Sequence, residues 1–153
     1  KLTDSWDRMA EYIERIKDYS EELTKAINKL LVQLNETAIH LTDPDVKDMI
    51  ASSVNKLFVA RKLSDKEIIG MLTLIVLRIP IAKRGLLEDL VVDRKYRGKG
   101  IATKLISTAI NEARRNGVAY LYFSSNPKRV AANRLYQHLG FKKRETNLYR
   151  VEL

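Results

Sequence analysis

A chain of 153 residues with no cysteine and a formal net charge of +9 excludes several classes of protein at once. Its length suits one domain, since a domain of this size buries about two thirds of its unfolded surface without staples, and the lack of cysteine removes disulfide frameworks, thiolate nucleophiles and cysteine-based metal sites. The charge is lopsided: residues 1–82 carry 12 Lys/Arg against 13 Asp/Glu, whereas residues 83–153 carry 16 against 6, so the second half invites a polyanion, an anionic surface or a phosphorylated ligand.

Residues 1–10, with the sole tryptophan Trp6, precede the first clear pattern and read as an N-terminal extension to a single domain over 11–153. Residues 12–18 alternate apolar and charged side chains imperfectly, as a first strand or the end of a longer helix would, and the helix start that follows favours the strand. Ser20 followed by Glu21 and Glu22 marks a helix start, and Leu23, Ile27, Leu30, Leu31 and Leu34 carry that helix at helical spacing. A second helix opens at Thr42, Asp43 and Pro44, with Val46, Met49, Ile50 and Val54 as its stripe. Strands are predicted at 57–61, 68–81 and 86–92, with a tight hairpin at Asp65 and a break or bulge at Pro80. A helix over 100–116 ends on Asn116-Gly117. A strand at 118–124, a helix at 128–139 closed by Gly140, and two short strands over 141–153 complete the chain.

The strand, helix, strand passage from residue 86 to 123 requires a crossover, which makes those two strands parallel. The expected fold is therefore α/β (α+β mixed): a mostly antiparallel sheet of six to seven strands with helices on both faces. The longest apolar run, residues 68–77, is too short for a membrane helix, which needs about 20 residues. With no basic leader at the start, a soluble, cytoplasmic protein with no membrane partner is expected.

Between the strand at 86–92 and the helix at 100–116 lie Gly98 and Gly100, with Arg94, Lys95, Arg97, Lys99 and Lys104 around them. Orphan N–H groups and the positive end of the helix dipole converge at such a turn, so it suits an anion, and a phosphate in particular. The Walker pattern is absent, and the dinucleotide pattern fails at Thr103. What fits is Arg-x-x-Gly-x-Ala at Arg97, Gly100 and Ala102. Here the sequence resembles the GCN5-related N-acetyltransferase family, whose acetyl-CoA loop reads Arg/Gln-x-x-Gly-x-Gly/Ala. The preceding segment, residues 86–93, resembles the family's fourth strand, and residues 133–141 resemble its second signature, which ends Leu/Phe-Tyr-x-x-x-Gly-Phe.

The resemblance runs from about residue 11 to the C-terminus and implies a splay between the fourth and fifth strands that holds pantetheine. It implies acetyl-CoA as co-substrate, with Leu90, Val91 and Val92 offering backbone to pantetheine and Arg97, Gly98, Lys99, Gly100, Ile101, Ala102 and Thr103 holding the diphosphate. Where the family often has Asn, this chain has Arg129, so the resemblance leaves the pantetheine contact to Asn126 or Asn133. Attack of a neutral amine on a thioester needs a group to take a proton and another to protonate the leaving thiolate.

Glu88, on a strand expected to be largely buried, is the candidate base, acting directly or through water, with a salt bridge to Lys83 or Arg84 as its plain structural alternative. Asp89 is expected on the opposite face by strand alternation. Tyr136 is the candidate acid, a phenol protonated at neutral pH. His40 and His138 have no ligand spacing around them, so no metal site is expected. The implied acceptor is a small-molecule or peptide amine, and the family offers a homodimer through terminal strands. Two other readings stay open: a basic nucleic-acid or ribosome-associated module, which the sequence disfavours because Tyr120, Tyr122 and Phe123 fall on a strand expected to be covered, and an acyl-CoA-binding protein that transfers nothing.

Overall fold

The computed structural model describes residues 10–153, so Trp6 and all of the expected extension except Ala10 lie outside the described residues. The chain forms two compact units, one ending at Phe123 and the other spanning Ser124–Leu153. In the first, the chain order is β1 (Glu11–Arg15), α1 (Glu21–Leu34), α2 (Asp43–Ala51), β2 (Asn55–Lys62), β3 (Ile68–Ile79), β4 (Ala82–Val92), a 3₁₀ turn (Arg94–Tyr96), α3 (Ile101–Arg115) and β5 (Tyr120–Tyr122). The strands lie in sequence order, antiparallel from β1 to β4 and parallel between β4 and β5. That parallel pair is what the α3 crossover demands.

Both faces of this sheet carry helices, for reasons visible in the side chains. On one face the α1 stripe of Leu23, Ile27 and Leu30 packs with Val46 of α2 against Leu57, Val59, Met71 and Val91. Thr42 and Asp45 form a capping box at the start of α2, so that acid serves the helix end. The helix stops at Ala51 instead of running to Val54, which is 38% exposed and uses its carbonyl to accept from the Val76 N–H. On the other face α3 buries Ile101, Leu105, Ile106, Ala109 and Ala113. It lies so close to β3 at Gly70 that a Cβ there would stand 3.4 Å from Leu105 and 3.5 Å from Ile101.

Buried Glu112 ties α3 to β1, accepting from Arg15 at 3.1 Å and from Arg115 at 2.6 Å. The Arg115 hydrogen bond, against the opposing effect of burial, holds its carboxyl below the usual range. Asp65 turns the β2–β3 hairpin, its Oδ1 accepting from the Glu67 N–H at 3.0 Å, and Pro80 and Ile81 form the turn into β4.

The second unit holds α4 (Val130–His138), followed by Gly140 at φ 89° and closed by the Phe141 N–H donating to the Tyr136 carbonyl at 3.0 Å. The two strands expected over 141–153 are not formed, so the described residues contain five strands instead of six to seven. Alternating apolar residues predict a strand only where a neighbouring backbone completes the ladder. In this segment the run Lys142, Lys143 and Arg144 precedes Leu148, Tyr149 and Val151, all about four-fifths exposed.

Candidate active site

The two halves of β4 are paired differently. Arg84, Gly85 and Leu86 pair with Tyr120, Leu121 and Tyr122 of β5, and there the parallel ladder ends. β4 runs on to Val92, held on its other side by β3. Its outer edge from Leu87 to Val92 thus has no β5 partner among the described residues, and Leu90, Val91 and Val92 lie on that stretch. An unpaired strand edge presents N–H and C=O groups that a bound chain of amides can satisfy.

A bulge interrupts the same stretch. Thr73 pairs with Glu88 and Met71 with Val91, so Asp89 and Leu90 together oppose Leu72. Asp89 takes φ 53°, a left-handed conformation that Asp tolerates better than most residues. Alternation therefore does not hold through Asp89, and the expected assignment of Glu88 and Asp89 to opposite faces does not follow.

Glu88 is exposed, contrary to the burial expected of its strand, because the ladder on one side has ended and the bulge follows immediately. The surrounding protein still raises its carboxyl above the ordinary glutamate value, and the neighbouring Asp89 carboxylate adds to the rise. Burial raises Asp89 as well. The alternative partners Lys83 and Arg84 form no ion pair with Glu88 among the described residues.

Past Val92 the chain makes an ordered turn. Asp93, 3% exposed, accepts from the Lys95 N–H at 3.1 Å and pairs with Lys29 of α1 at 3.4 Å. The Arg94 N–H donates to Gln33 Oε1 at 2.9 Å, and Arg97 Nε donates back to the Val92 carbonyl at 2.8 Å. Tyr96 lies under both Lys62 and Lys99, with ammonium-to-ring distances of 5.6 and 5.5 Å. Sequence reasoning misses Lys29, Gln33 and Asp93 as supports of this turn. Asp93, two residues before the N–H it caps, is the one legible signal.

Gly98 and Gly100 have φ 76° and 80°, and a Cβ on either would meet nothing within 4 Å. Their need is conformational, and the space beside them is open. Gly100 caps α3 without any side-chain hydrogen bond, and no acid stands in the first turn. The N–H groups of Ile101, Ala102 and Thr103 therefore point out of the helix without intrahelical partners, while Lys104 N–H is the first to bond back, to Gly100 at 3.1 Å. This is an anion site by construction. The five cations expected around it divide: Lys104 pairs with Glu11 of β1, Arg97 closes the turn, Lys99 lies over Tyr96, and Arg94 and Lys95 are exposed.

The remaining candidates belong to the second unit. Tyr136 is 7% exposed, and burial raises its phenol above the ordinary value against a smaller opposing effect of Arg129. Asn133 Nδ2 donates to the carbonyls of Asn126 at 2.9 Å and Arg129 at 3.0 Å, and Asn126 Oδ1 accepts from the Lys128 N–H at 2.9 Å. The two asparagines thus shape the start of α4 together.

The site is thus a mixed sheet whose fourth strand, past its last pairing with β5 at Leu86, leads with an open edge into an uncapped helix N-terminus. The sequence model of the Acetyltransferase (GNAT) family matches residues 20–141, and the chain belongs to that family. It is 38% identical over 69 residues to human N-acetyltransferase 8B, covering 45% of this chain and 30% of that one. It is 34% identical over 70 residues to N-alpha-acetyltransferase 30 of Schizosaccharomyces pombe, covering 46% of each. The chain thus matches between 30% and 46% of the length of these curated relatives. A solved acetyltransferase from Trypanosoma brucei shares the fold with a TM-score of 0.77 at 23% identity, over 94% of this chain and 100% of that one.

Proposed function

We propose that residues 11–153 act as a single acetyl-CoA-dependent N-acetyltransferase domain that acetylates a primary amine. The observation that carries this reading is the junction at the end of β4: a strand edge released from β5 leads directly into a two-glycine turn and an uncapped helix N-terminus. The edge at Leu90, Val91 and Val92 suits the amides of the pantetheine arm, and the N–H groups of Ile101, Ala102 and Thr103 suit the diphosphate of coenzyme A. Membership of the family supports acetyl-CoA as the donor, and the match over 20–141 spans both units.

In the proposed reaction Glu88 takes the proton from the attacking nitrogen, directly or through one water. The nitrogen forms its bond to the thioester carbon, the carbon–sulfur bond breaks, and Tyr136 gives its phenolic proton to the thiolate. A carboxyl raised above the ordinary glutamate value is a stronger base than a free glutamate, and a phenol raised above its ordinary value is protonated at neutral pH.

The test is thiol release from acetyl-CoA with a panel of amines, including peptides, diamines and aminoglycosides. Turnover with at least one amine is expected, and Tyr136→Phe should lower kcat by roughly 10²- to 10⁴-fold while acetyl-CoA affinity changes little. Binding of acetyl-CoA with no turnover of any amine would leave the non-catalytic reading in its place. Unchanged kcat in the variant would remove Tyr136 as the acid.

A further inference from the structure

One face of β4 carries Arg84, Leu86 and Glu88 in line, with Tyr120 and Tyr122 beside the first two on β5. The α1–α2 packing covers this face as far as Met71 and Val91. Beyond it, Tyr120 is 59% and Tyr122 38% exposed, their ring centroids 6.3 Å apart. The Arg84 guanidinium lies 4.9 Å from the centre of the Tyr122 ring. Its Nε is buried with no hydrogen-bond partner, and no carboxylate pairs with Arg84 among the described residues. Arg61, which the strands bury, behaves differently: it donates to Glu14, Glu22 and the Lys66 carbonyl.

A guanidinium supported by an aromatic ring but lacking an anion is matched best by a carboxylate, which it binds through its planar fork. Glu88 is the nearest acid on the same strand face, yet it is kept for the amine in the proposed reaction. Arg84 and Glu88 are four residues apart on an unbulged stretch, so their Cα atoms are separated by about 13 Å. The guanidinium leans over Tyr122, which is level with Leu86, and so its charge stands about 7 to 13 Å from the level of Glu88. An extended peptide spans the same distance from its α-amine to its third or fourth residue, and two exposed tyrosines give such a chain a flat surface at low entropic cost.

We propose that Arg84 selects the acceptor, which is the N-terminus of an extended peptide bearing Asp or Glu at its third or fourth residue, with the amine at Glu88 and the acidic side chain on Arg84 over Tyr122. This rests on the acetyltransferase reading and adds its substrate class. It gives Arg84 a binding role and leaves the proton transfers to Glu88 and Tyr136.

The experiment measures thiol release by the full chain with hexapeptides in which a single Glu is moved through positions two to six, each compared with its Gln twin. Glu at the third or fourth position should raise kcat/KM by roughly tenfold over Gln, mainly through KM, and the advantage should shrink as salt is raised. Arg84→Gln should bring the ratio towards one, and Arg84→Glu should reverse it in favour of Lys at the same peptide position, a change that no loss of stability would produce. Equal rates for Glu and Gln peptides at every position, or a preference that survives Arg84→Gln, would overturn the proposal. Turnover of small amines without turnover of any peptide would overturn it too while leaving the transferase reading intact, whereas no turnover of any amine alongside acetyl-CoA binding would sink both.

Discussion

The two halves of β4 use the same backbone for opposite ends. From Arg84 to Leu86 the strand is paired on both sides, and Gly85 sits where space is tight: a Cβ would stand 2.5 Å from Leu121 Cδ2, which would have to shift, and 3.3 Å from Leu74 and Val118. From Leu87 to Val92 the strand is paired on one side, carries a bulge, and holds two adjacent carboxylates whose pKa values are raised. Arg84 apart, the first half devotes its residues to packing. The second leaves hydrogen-bonding capacity and ionisable groups unused, which a binding edge requires and a merely stable sheet avoids. Substitutions in the two halves should therefore separate stability from rate.

The largest effect is expected from Glu88→Gln in the open half. Loss of the base should cut kcat by roughly 10²- to 10⁴-fold, equivalent to about 3 to 5 kcal/mol of barrier, while the melting temperature moves little because the side chain is exposed. In the parent the rate should fall on the acid side at a pH above the ordinary glutamate range, since a raised pKa means that protonation silences the base earlier. The variant should lose that limb. Gly85→Val in the paired half is the converse: overpacking against Leu121 should cost about 1 to 3 kcal/mol, or about 2 to 4 °C per kcal/mol in melting temperature. Its kcat, measured well below the melting point, should stay near the parent value. A Gly85→Val protein that melts normally but turns over slowly would break the division between the halves.

Much of this strand is legible in the amino-acid sequence, and the part that is not has a local cause. Leu86 to Val92 reads as apolar and β-rich, and the glycines at 98 and 100 stand where a helix begins, so the strand, the turn and α3 follow from composition and spacing. The bulge does not. Asp89 is an ordinary strand neighbour in sequence, and only its pairing with Leu90 opposite a single residue of β3 reveals the left-handed turn. The exposure of Glu88 escapes the pattern for the same reason, because period-two alternation assumes an unbroken ladder on both sides. The strands expected over 141–153 fail on another assumption, that an alternating pattern finds an edge to pair with. Lys29 and Gln33 lie about 60 residues before Asp93 and Arg94, and packing of α1 on the sheet brings them together to hold the glycine turn.

Gly100→Val tests the turn where the open half ends. A β-branched residue held at φ 80° costs about 1 to 3 kcal/mol. Because the side chain would project into open space, the cost should appear as a shifted turn and weaker acetyl-CoA binding, by roughly 5- to 100-fold in Kd, more than as lost core packing. Isothermal titration of the variant checks this, and parent-like affinity would contradict the assignment of the diphosphate to this turn.

The smallest change, Asp89→Gly, asks what the second carboxylate contributes apart from the bulge it sits in. Glycine takes φ 53° without the penalty Asp carries, but it also frees the unfolded chain, so stability should move by about 1 kcal/mol or less in either direction. The bulge, and with it the direction of Glu88, should be kept. What goes is a negative charge beside Glu88, the lesser of the two causes that raise its pKa. The acid limb of the rate profile should therefore shift to lower pH without reaching the ordinary glutamate range, because partial desolvation by the surrounding protein, the greater cause, remains. A limb that does not move in Asp89→Gly but vanishes in Glu88→Gln would mean that this desolvation alone tunes the base. A limb unchanged in both variants would show that the titrating group is not Glu88.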